Sequence, residues 1–234
     1  MIRAMIETSL IDWDGKLTTV LFFDKCNFMC PFCQNWELVL HPKRFPAIPW
    51  QDIEGKLHVK KGWIDGVVLT GGEPLVNDVE TSEIASKVKE IGFLVKLDTN
   101  GAYPSRLKKL INEKLVDYVA LDVKAPLDES YSVAAGKHVD VQKITRSIAV
   151  LKEEAVDYEL RTTCVPGIID EEAIKSIGED IQKAKRWVLQ QYVPENAYKE
   201  QYRTLKPIAE PEMKRLRQVA GKYVNEVKLR GRTH

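Results

Sequence analysis

The sequence predicts an α/β fold built on parallel strands. Six short apolar runs rich in β-branched residues alternate with amphipathic segments in which apolar residues recur at helical spacing. Strand and helix repeated in this order favour right-handed crossovers between parallel strands, which leaves a doubly wound sheet or an open or closed barrel as the architecture. A chain of 234 residues can form one such domain.

The strand and helix candidates follow one another along the chain. Strands are predicted over 16–23, 65–70, 93–99, 117–123, 157–165 and 186–193. Helices are predicted over 79–92, 103–114 and 141–154, the first of which ends at Gly92, a residue typical of a helix C-terminus. We expect a single domain over 1–234, in which 194–234 is an extension packed on the barrel, with a helix over 210–219 and a strand near 223–229.

Composition excludes several classes of partner and location. A formal net charge of +1 gives no reason to expect a nucleic-acid partner. No apolar run approaches the roughly 18 residues of a membrane span, and acidic residues interrupt the N-terminal stretch "MIRAMIETSLIDWDG" where a signal peptide would be apolar. We therefore expect a cytoplasmic protein without membrane attachment. In a reducing cytosol, clustered thiols favour metal binding or redox chemistry over structural disulfides.

Three of the four cysteines lie in the stretch "CNFMCPFC", at Cys26, Cys30 and Cys33. A structural zinc site needs a fourth ligand, which the neighbouring sequence does not offer, and a redox pair of Cys30 and Cys33 would leave Cys26 without a role. A 4Fe-4S cluster takes four ligands, so three thiolates leave one iron open to a cofactor or substrate. The spacing favours such a cluster, whereas Cys164, within a strand candidate, is predicted to be a buried apolar residue.

Four further short motifs stand at the ends of predicted strands. They are "TGGEP" at 70–74, "DTNG" at 98–101, "DVKAP" at 122–126 and "VPG" at 165–167. Because the carboxyl ends of parallel strands share one face, these motifs and the cysteines are expected to converge on one site. The glycine patterns of a dinucleotide-binding Rossmann domain and of a P-loop do not occur.

The cysteine spacing, with Phe32 before the last cysteine and "GGEP" after the next strand, resembles that of the radical S-adenosylmethionine superfamily. The resemblance implies a partial (β/α)6 TIM-like barrel that is open on one side. It also implies that Cys26, Cys30 and Cys33 hold a 4Fe-4S cluster whose open iron chelates S-adenosylmethionine. An added electron would then cleave this cofactor to methionine and a 5'-deoxyadenosyl radical, so that the cofactor pair supplies the chemistry.

The other motifs have complementary roles in this interpretation. Gly71 and Gly72 would let backbone approach the ligand, and Glu73 or the backbone beside it would accept hydrogen bonds from an ammonium group. The resemblance assigns Asp98 and Asp122, with their neighbours, to S-adenosylmethionine and a monovalent cation, although an ordinary salt bridge at the barrel rim would explain the same charges. The residues predicted to bind cofactor are Phe32, Gly71, Gly72, Glu73, Pro74, Asp98, Thr99, Asn100, Asp122, Lys124 and Arg161.

The opening "SLIDWDGKLTTVLFFDKCNFMCPFCQN" resembles that of the short activating proteins of anaerobic ribonucleoside-triphosphate reductase, with Asp14 at a position where their pattern has proline. This resemblance implies a protein substrate, a glycyl radical enzyme, from which the radical abstracts a glycine hydrogen. The anaerobic ribonucleotide reductase is the expected partner, and a ferredoxin or flavodoxin is the expected low-potential electron donor.

Two alternatives stay open. A radical enzyme of this kind could act on a small molecule or peptide, in cofactor biosynthesis or peptide modification. The cysteine motif alone would also allow a non-catalytic iron-sulfur protein that carries electrons. The motifs at the strand ends argue against an electron carrier, since it needs no site for a sulfonium cofactor.

Overall fold

A computed structural model describes residues 1–231 of the chain. These residues form one eight-stranded sheet in which the strands follow chain order, from β1 at one end to β8 at the other. The first strand runs antiparallel to the second, and all other neighbouring strands are parallel. Because the first and last strands do not pair, the sheet remains open, which confirms the predicted partial barrel of the α/β class.

The strands are β1 (Ile2–Ser9), β2 (Thr18–Phe23), β3 (Gly66–Gly71), β4 (Leu94–Thr99), β5 (Tyr118–Asp122), β6 (Asp157–Cys164), β7 (Arg186–Gln191) and β8 (Glu226–Arg230). The helices are α1 (Trp36–Leu40), α2 (Trp50–Val59), α3 (Asp78–Ile91), α4 (Pro104–Asn112), α5 (Ser130–Ala135), α6 (Val141–Glu153), α7 (Glu171–Asp180), α8 (Glu200–Arg203) and α9 (Glu210–Ala220). Short 3₁₀ helices span Pro42–Arg44 and Pro74–Asn77.

The six predicted central strands and the predicted last strand are confirmed as β2 to β8, whereas β1 was not predicted. Its sequence, "IRAMIETS", is half-exposed along most of its length and lacks the apolar run of a buried strand. It pairs on one side only, as an edge strand. The predicted helix over 79–92 is α3, and Gly92 ends it in the left-handed conformation with φ of 102°.

The hydrophobic core lies mainly between the strands and the helices packed on the sheet. Leu21, Leu69 and Leu97 from three neighbouring strands are fully buried in it, together with Leu107 of α4 and Ile174 of α7. A second, smaller cluster contains Trp13, Val20, Val68 and Tyr118. Alternate residues of the strands thus pack on opposite faces of the sheet.

The loop over 10–17, between β1 and β2, lies at the amino ends of the parallel strands. The ring centroid of Trp13 lies 5.6 Å from that of Tyr118. Asp14 forms ion pairs with Lys228 at 3.2 Å and with Arg230 at 3.0 Å, both in the last strand. The loop therefore connects the two ends of the open sheet at this side of the barrel.

Trp13→Ala is expected to lower the free energy of unfolding by about 3 to 5 kcal/mol, the usual cost of truncating a buried aromatic residue. The indole is only 7% exposed and fills the amino end of the barrel. Trp63→Ala is the matched control, since Trp63 is 80% exposed and should change stability by less than about 0.5 kcal/mol. Urea denaturation followed by circular dichroism measures both, and equal losses would contradict this account of the loop.

The C-terminal part of the chain packs on the barrel. α9 contacts α7 and β7, and the last strand extends the sheet. Residues 232–234 lie outside the described part, and the prediction of a single domain with 194–234 as an extension stays a prediction. Among residues 1–231, none of the helices combines the length and apolar character needed to span a lipid bilayer.

Candidate functional site

A cavity of about 440 Å³ lies at the carboxyl ends of the parallel strands. Its wall is built from the cysteine loop and from the strand ends of β3 to β7. Of the predicted residues, those that line it are Cys26, Cys30, Phe32, Cys33, Gly71, Gly72, Glu73, Asp98, Thr99, Asn100, Asp122, Lys124 and Arg161. Pro74 does not line it, since this residue is buried in a 3₁₀ helix, where its carbonyl accepts a hydrogen bond from Thr81.

The cysteine loop is held by main-chain hydrogen bonds to distant parts of the chain. The Met29 N–H donates to the Ala135 carbonyl at the end of α5 (2.8 Å). On the other side, the Lys199 N–H donates to the Pro31 carbonyl (2.9 Å). These two hydrogen bonds fix backbone atoms on either side of Cys30 and so help to hold the loop in a defined shape.

The three thiols of the loop face the same cavity, with Cys30 buried and the other two half-buried. Burial raises the pKa of Cys26 to about 12 and that of Cys30 to about 11. Thiolates here therefore need a bound metal cation, and three soft sulfur donors facing one cavity fit a 4Fe-4S cluster with one open iron. Within residues 1–231, no group of three or more His, Cys, Asp or Glu side chains is placed so that it could hold a single metal ion.

Glu73 connects the ends of β3 and β4. Its carboxylate accepts hydrogen bonds from the Leu75 N–H (3.1 Å), the Thr99 hydroxyl (2.8 Å) and the Asn100 N–H (2.6 Å). Burial raises its pKa to about 7, against the opposing effect of these donors. Since the carboxylate is already engaged, the backbone beside it is the freer of the two predicted acceptors for an ammonium group.

The glycines of "TGGEP" allow two strand ends to approach each other. Gly71 has φ of 109°, and a Cβ there would overlap the backbone of Phe23. A Cβ on Gly72 would overlap the Lys25 carbonyl oxygen. The sequence indicated a close approach to ligand, which stays a prediction, whereas the structure adds a close approach to the strand that precedes the cysteines.

Charged side chains alternate in sign across the strand ends of β4, β5 and β6. Arg161 donates to Asp98 at 2.9 Å and to Asp122 at 2.8 Å, so one guanidinium joins both carboxylates. The Nζ atom of Lys96 lies 3.1 Å from Oδ1 of Asp98. The Nζ atom of Lys124 lies 3.2 Å from Oδ2 of Asp122. The five groups form a connected network, in which Arg161 pairs with both carboxylates.

The network fixes the charge state of its carboxylates. Burial raises the pKa of Asp122, but the charges of Arg161 and Lys124 outweigh it and lower the pKa to about 2. The pKa of Asp98 is also lowered, because Arg161 and Lys96 together outweigh burial. Both groups are therefore carboxylates at neutral pH, as a cationic ligand in the cavity requires.

Two residues that support the charged network, Tyr131 and Lys96, were not predicted from the sequence. The hydroxyl of Tyr131, in α5, donates to the Asp122 carbonyl (3.3 Å) and accepts from the Lys124 N–H (3.4 Å). Lys96 lies in a strand among apolar residues, fully buried. A lysine at the centre of a buried strand is itself unusual, and could have indicated a partner carboxylate.

Residues 193–204, termed the covering segment, pack beside the cysteine loop. The Gln34 side-chain amide donates to the Val193 carbonyl (2.7 Å). The ring centroids of Trp36 and Tyr198 are 5.6 Å apart. The covering segment therefore forms part of the cavity wall, to which Tyr198 contributes directly.

Comparison with known proteins agrees with this site. Residues 20–178 match the model of the Radical SAM superfamily. A protein of Methanocaldococcus jannaschii named "Putative glycyl-radical enzyme activating enzyme" is 34% identical over 236 residues, which cover 98% of this chain and 95% of that protein. The pyruvate formate-lyase-activating enzyme of Clostridium pasteurianum is 29% identical over 143 residues, 58% of this chain and 57% of that enzyme.

The fold is similar to that of solved structures. The crystal structure of SuiB from Streptococcus suis has a TM-score of 0.68 at 17% identity, covering 91% of this chain and 50% of that one. At this level of identity, the likeness concerns the fold alone. The family match spans the cysteine loop and the ends of β2 to β6, where the thiols and the charged network lie. The chain belongs to the Radical SAM superfamily.

Proposed function

We propose that the chain is an activating enzyme for a glycyl radical enzyme. The observation that carries the proposal is the similarity to the Methanocaldococcus protein, since it spans 98% of the chain rather than the shared cofactor motifs alone. The anaerobic ribonucleotide reductase is the partner that we favour, and a ferredoxin or flavodoxin is the proposed electron donor. We also propose a cytoplasmic location, as the hydropathy pattern of the sequence led us to expect.

The chain's own residues have separate tasks in this proposal. Cys26, Cys30 and Cys33 hold the 4Fe-4S cluster, and the strand ends at the cavity bind S-adenosylmethionine. When bound and reduced, these cofactors supply a carbon-centred radical that can remove a hydrogen atom from a glycine Cα. Asp98 and Asp122 would face a cationic sulfonium, and a monovalent cation near them would share these carboxylates with the lysine and arginine partners.

An anaerobic assay tests the proposal. The cluster is reconstituted and reduced with dithionite in the presence of S-adenosylmethionine, and 5'-deoxyadenosine is quantified with and without candidate glycyl radical enzymes. A glycine-centred doublet in the electron paramagnetic resonance spectrum of one candidate is the expected result. 5'-Deoxyadenosine without a doublet would favour a small-molecule or peptide substrate instead, and no 5'-deoxyadenosine at all would favour the electron carrier.

Asp122→Ala is expected to weaken S-adenosylmethionine binding by about 10-fold to 100-fold, the loss of one charge-assisted interaction, while iron content stays near normal. Removing this carboxylate leaves Lys124 without its partner and Arg161 with Asp98 alone, which adds net positive charge beside a sulfonium ligand. Equilibrium dialysis of the reconstituted protein measures the affinity, and a ferrozine assay measures the iron.

Asp157→Ala is the control, because Asp157 is an exposed carboxylate at the opposite end of β6 that pairs with Lys185. It should leave both quantities unchanged. Loss of iron from the Asp122 variant would mean that this carboxylate supports the structure of the cysteine loop rather than the cofactor.

A further inference from the structure

The positively charged groups that line the cavity already form ion pairs with carboxylates of the protein. Lys124 pairs with Asp122, and Arg161 pairs with both Asp98 and Asp122. A phosphate or carboxylate entering the cavity would therefore compete with these protein carboxylates for its cation. Glu73 and Asp12 are two further acids in the wall. This lining disfavours an anionic second ligand.

Two uncharged polar side chains of the wall have no such partner. Thr163 and Gln190 are register partners on the parallel strands β6 and β7. Thr163 follows Arg161 by two residues, so it points to the same face of the sheet as that arginine. Both side chains are half-buried, line the cavity and make no side-chain hydrogen bond within residues 1–231.

The pair lies on the side of the cavity away from Glu73. Since the strands follow chain order, the charged network on β4, β5 and β6 stands between β3 and this pair. The proposed sites for the amino group and the sulfonium of S-adenosylmethionine therefore lie toward β3, and Thr163 and Gln190 lie beyond them. A substrate that enters the cavity between the cofactor and β7 would therefore meet this pair.

The chemistry of the pair matches a peptide group. A carboxamide offers both donors and an acceptor, and a hydroxyl offers one donor and two acceptor lone pairs, all without charge. A main-chain peptide group presents one N–H and one C=O, and leaving either unpaired in a half-buried site costs free energy. The two neighbouring cations, Arg161 two residues before Thr163 and Arg230 in register with Gln190 on β8, are already paired with carboxylates. A phosphorylated or carboxylated molecule would therefore have to compete for them.

We propose that Gln190 and Thr163 bind a main-chain peptide group of the polypeptide substrate, and that this pair selects an uncharged backbone segment over an anionic small molecule. The inference rests on the proposed function, because it assigns the substrate-binding residues of the same site. It also applies to any other polypeptide whose backbone enters the cavity.

The test uses the reconstituted holoenzyme with S-adenosylmethionine bound. The probe is a capped, uncharged peptide of glycine and serine whose glycines carry two deuterium atoms on Cα. Calorimetry gives its Kd, and mass spectrometry of 5'-deoxyadenosine after reduction gives the deuterium transferred. Gln190→Leu and Thr163→Val remove the polar groups while keeping the size of each side chain, and the conservative variants Gln190→Asn and Thr163→Ser retain them.

Each apolar variant is expected to raise the Kd of the peptide, and the concentration for half-maximal deuterium transfer, by about 3-fold to 10-fold, the loss of one hydrogen bond. The conservative variants should recover part of this loss. Iron content and thermal unfolding establish that all four variants are folded and loaded. A merely structural role would instead lower iron content or thermal stability without separating the apolar variants from the conservative ones.

Several outcomes would overturn the inference. Peptide affinity in the two apolar variants equal to that of the wild type would do so, as would an absence of peptide binding by the wild type. Tighter binding of ATP, used as an anionic probe, than of the peptide would do so too. If a partner enzyme shows the glycine-centred doublet but peptide binding is the same in all variants, only this inference fails. If peptide binding responds to the variants but no partner enzyme shows a doublet, only the proposed partner fails.

Discussion

Cys30→Ala is expected to abolish both loading of the 4Fe-4S cluster and formation of 5'-deoxyadenosine. The three thiols face one cavity, and Cys30 is the most buried of them, so no other side chain of the loop can replace it as a ligand. With two thiolates a cubane has two irons without a protein ligand, and it is expected to degrade. Iron and sulfide analysis after anaerobic reconstitution measures the loss, together with chromatography of 5'-deoxyadenosine.

Cys164→Ala is the matched control, because it makes the same substitution at the fourth cysteine. Cys164 is fully buried in β6 outside the cavity wall, and its sulfur lies 3.9 Å from the Thr162 carbonyl. This variant should keep its cluster and its activity and lose about 1 kcal/mol of stability. An active Cys30 variant, or an iron-free Cys164 variant, would show that the ligands are assigned wrongly.

Gly136→Ala is expected to remove most of the cluster loading although Gly136 is no ligand. The residue ends α5 with φ of 66°, and a Cβ there would overlap the carbonyl oxygen of Met29 in the cysteine loop. The loop, the helix end or both must move to relieve the overlap. Because the Met29 N–H donates to Ala135, this movement also strains the hydrogen bond that positions the loop.

Gly167→Ala isolates the contribution of the overlap. Gly167 also has a positive φ, of 81°, but a Cβ there would meet nothing within 4 Å. Both variants therefore include the cost of about 1 to 2 kcal/mol for a left-handed alanine, and only Gly136→Ala adds the collision with the loop. Iron content and urea denaturation compare the two, and similar cluster loading in both would refute the role given to α5.

The central strands and the ends that form the site could be predicted because each depends on local sequence. Buried parallel strands are rich in apolar and β-branched residues, so β2 to β7 are recognisable one at a time even where a charged residue interrupts them, as Lys96 does in β4. β1 pairs on one side and is half-exposed, so "IRAMIETS" carries no comparable pattern. Its place in the sheet depends on pairing with β2, which only the folded chain reveals.

The candidate site divides in the same way. The cysteine motif and the four strand-end motifs are each a short unbroken stretch that can be recognised at the end of a predicted strand. Their convergence then follows from the geometry of parallel strands. The contacts of Gly136 and of the covering segment join residues far apart in the chain. Tyr131 contacts Asp122 and Lys124, which are near in sequence, but no local pattern marks this tyrosine. The glycines of "TGGEP" were predicted to let backbone approach a ligand. The structure adds a second reason for glycine there, since both residues pack against the backbone of Phe23 and Lys25.

The order of synthesis gives the covering segment a further consequence. Gln34, just after the last loop cysteine, bonds to Val193, which lies 159 positions later in the chain. At a synthesis rate of about 5 to 20 residues per second, that interval lasts roughly 8 to 30 seconds. During this time the nascent chain has its three cysteines but lacks the wall that later packs beside them. Iron and sulfide can reach the thiols more easily then than after the covering segment is in place.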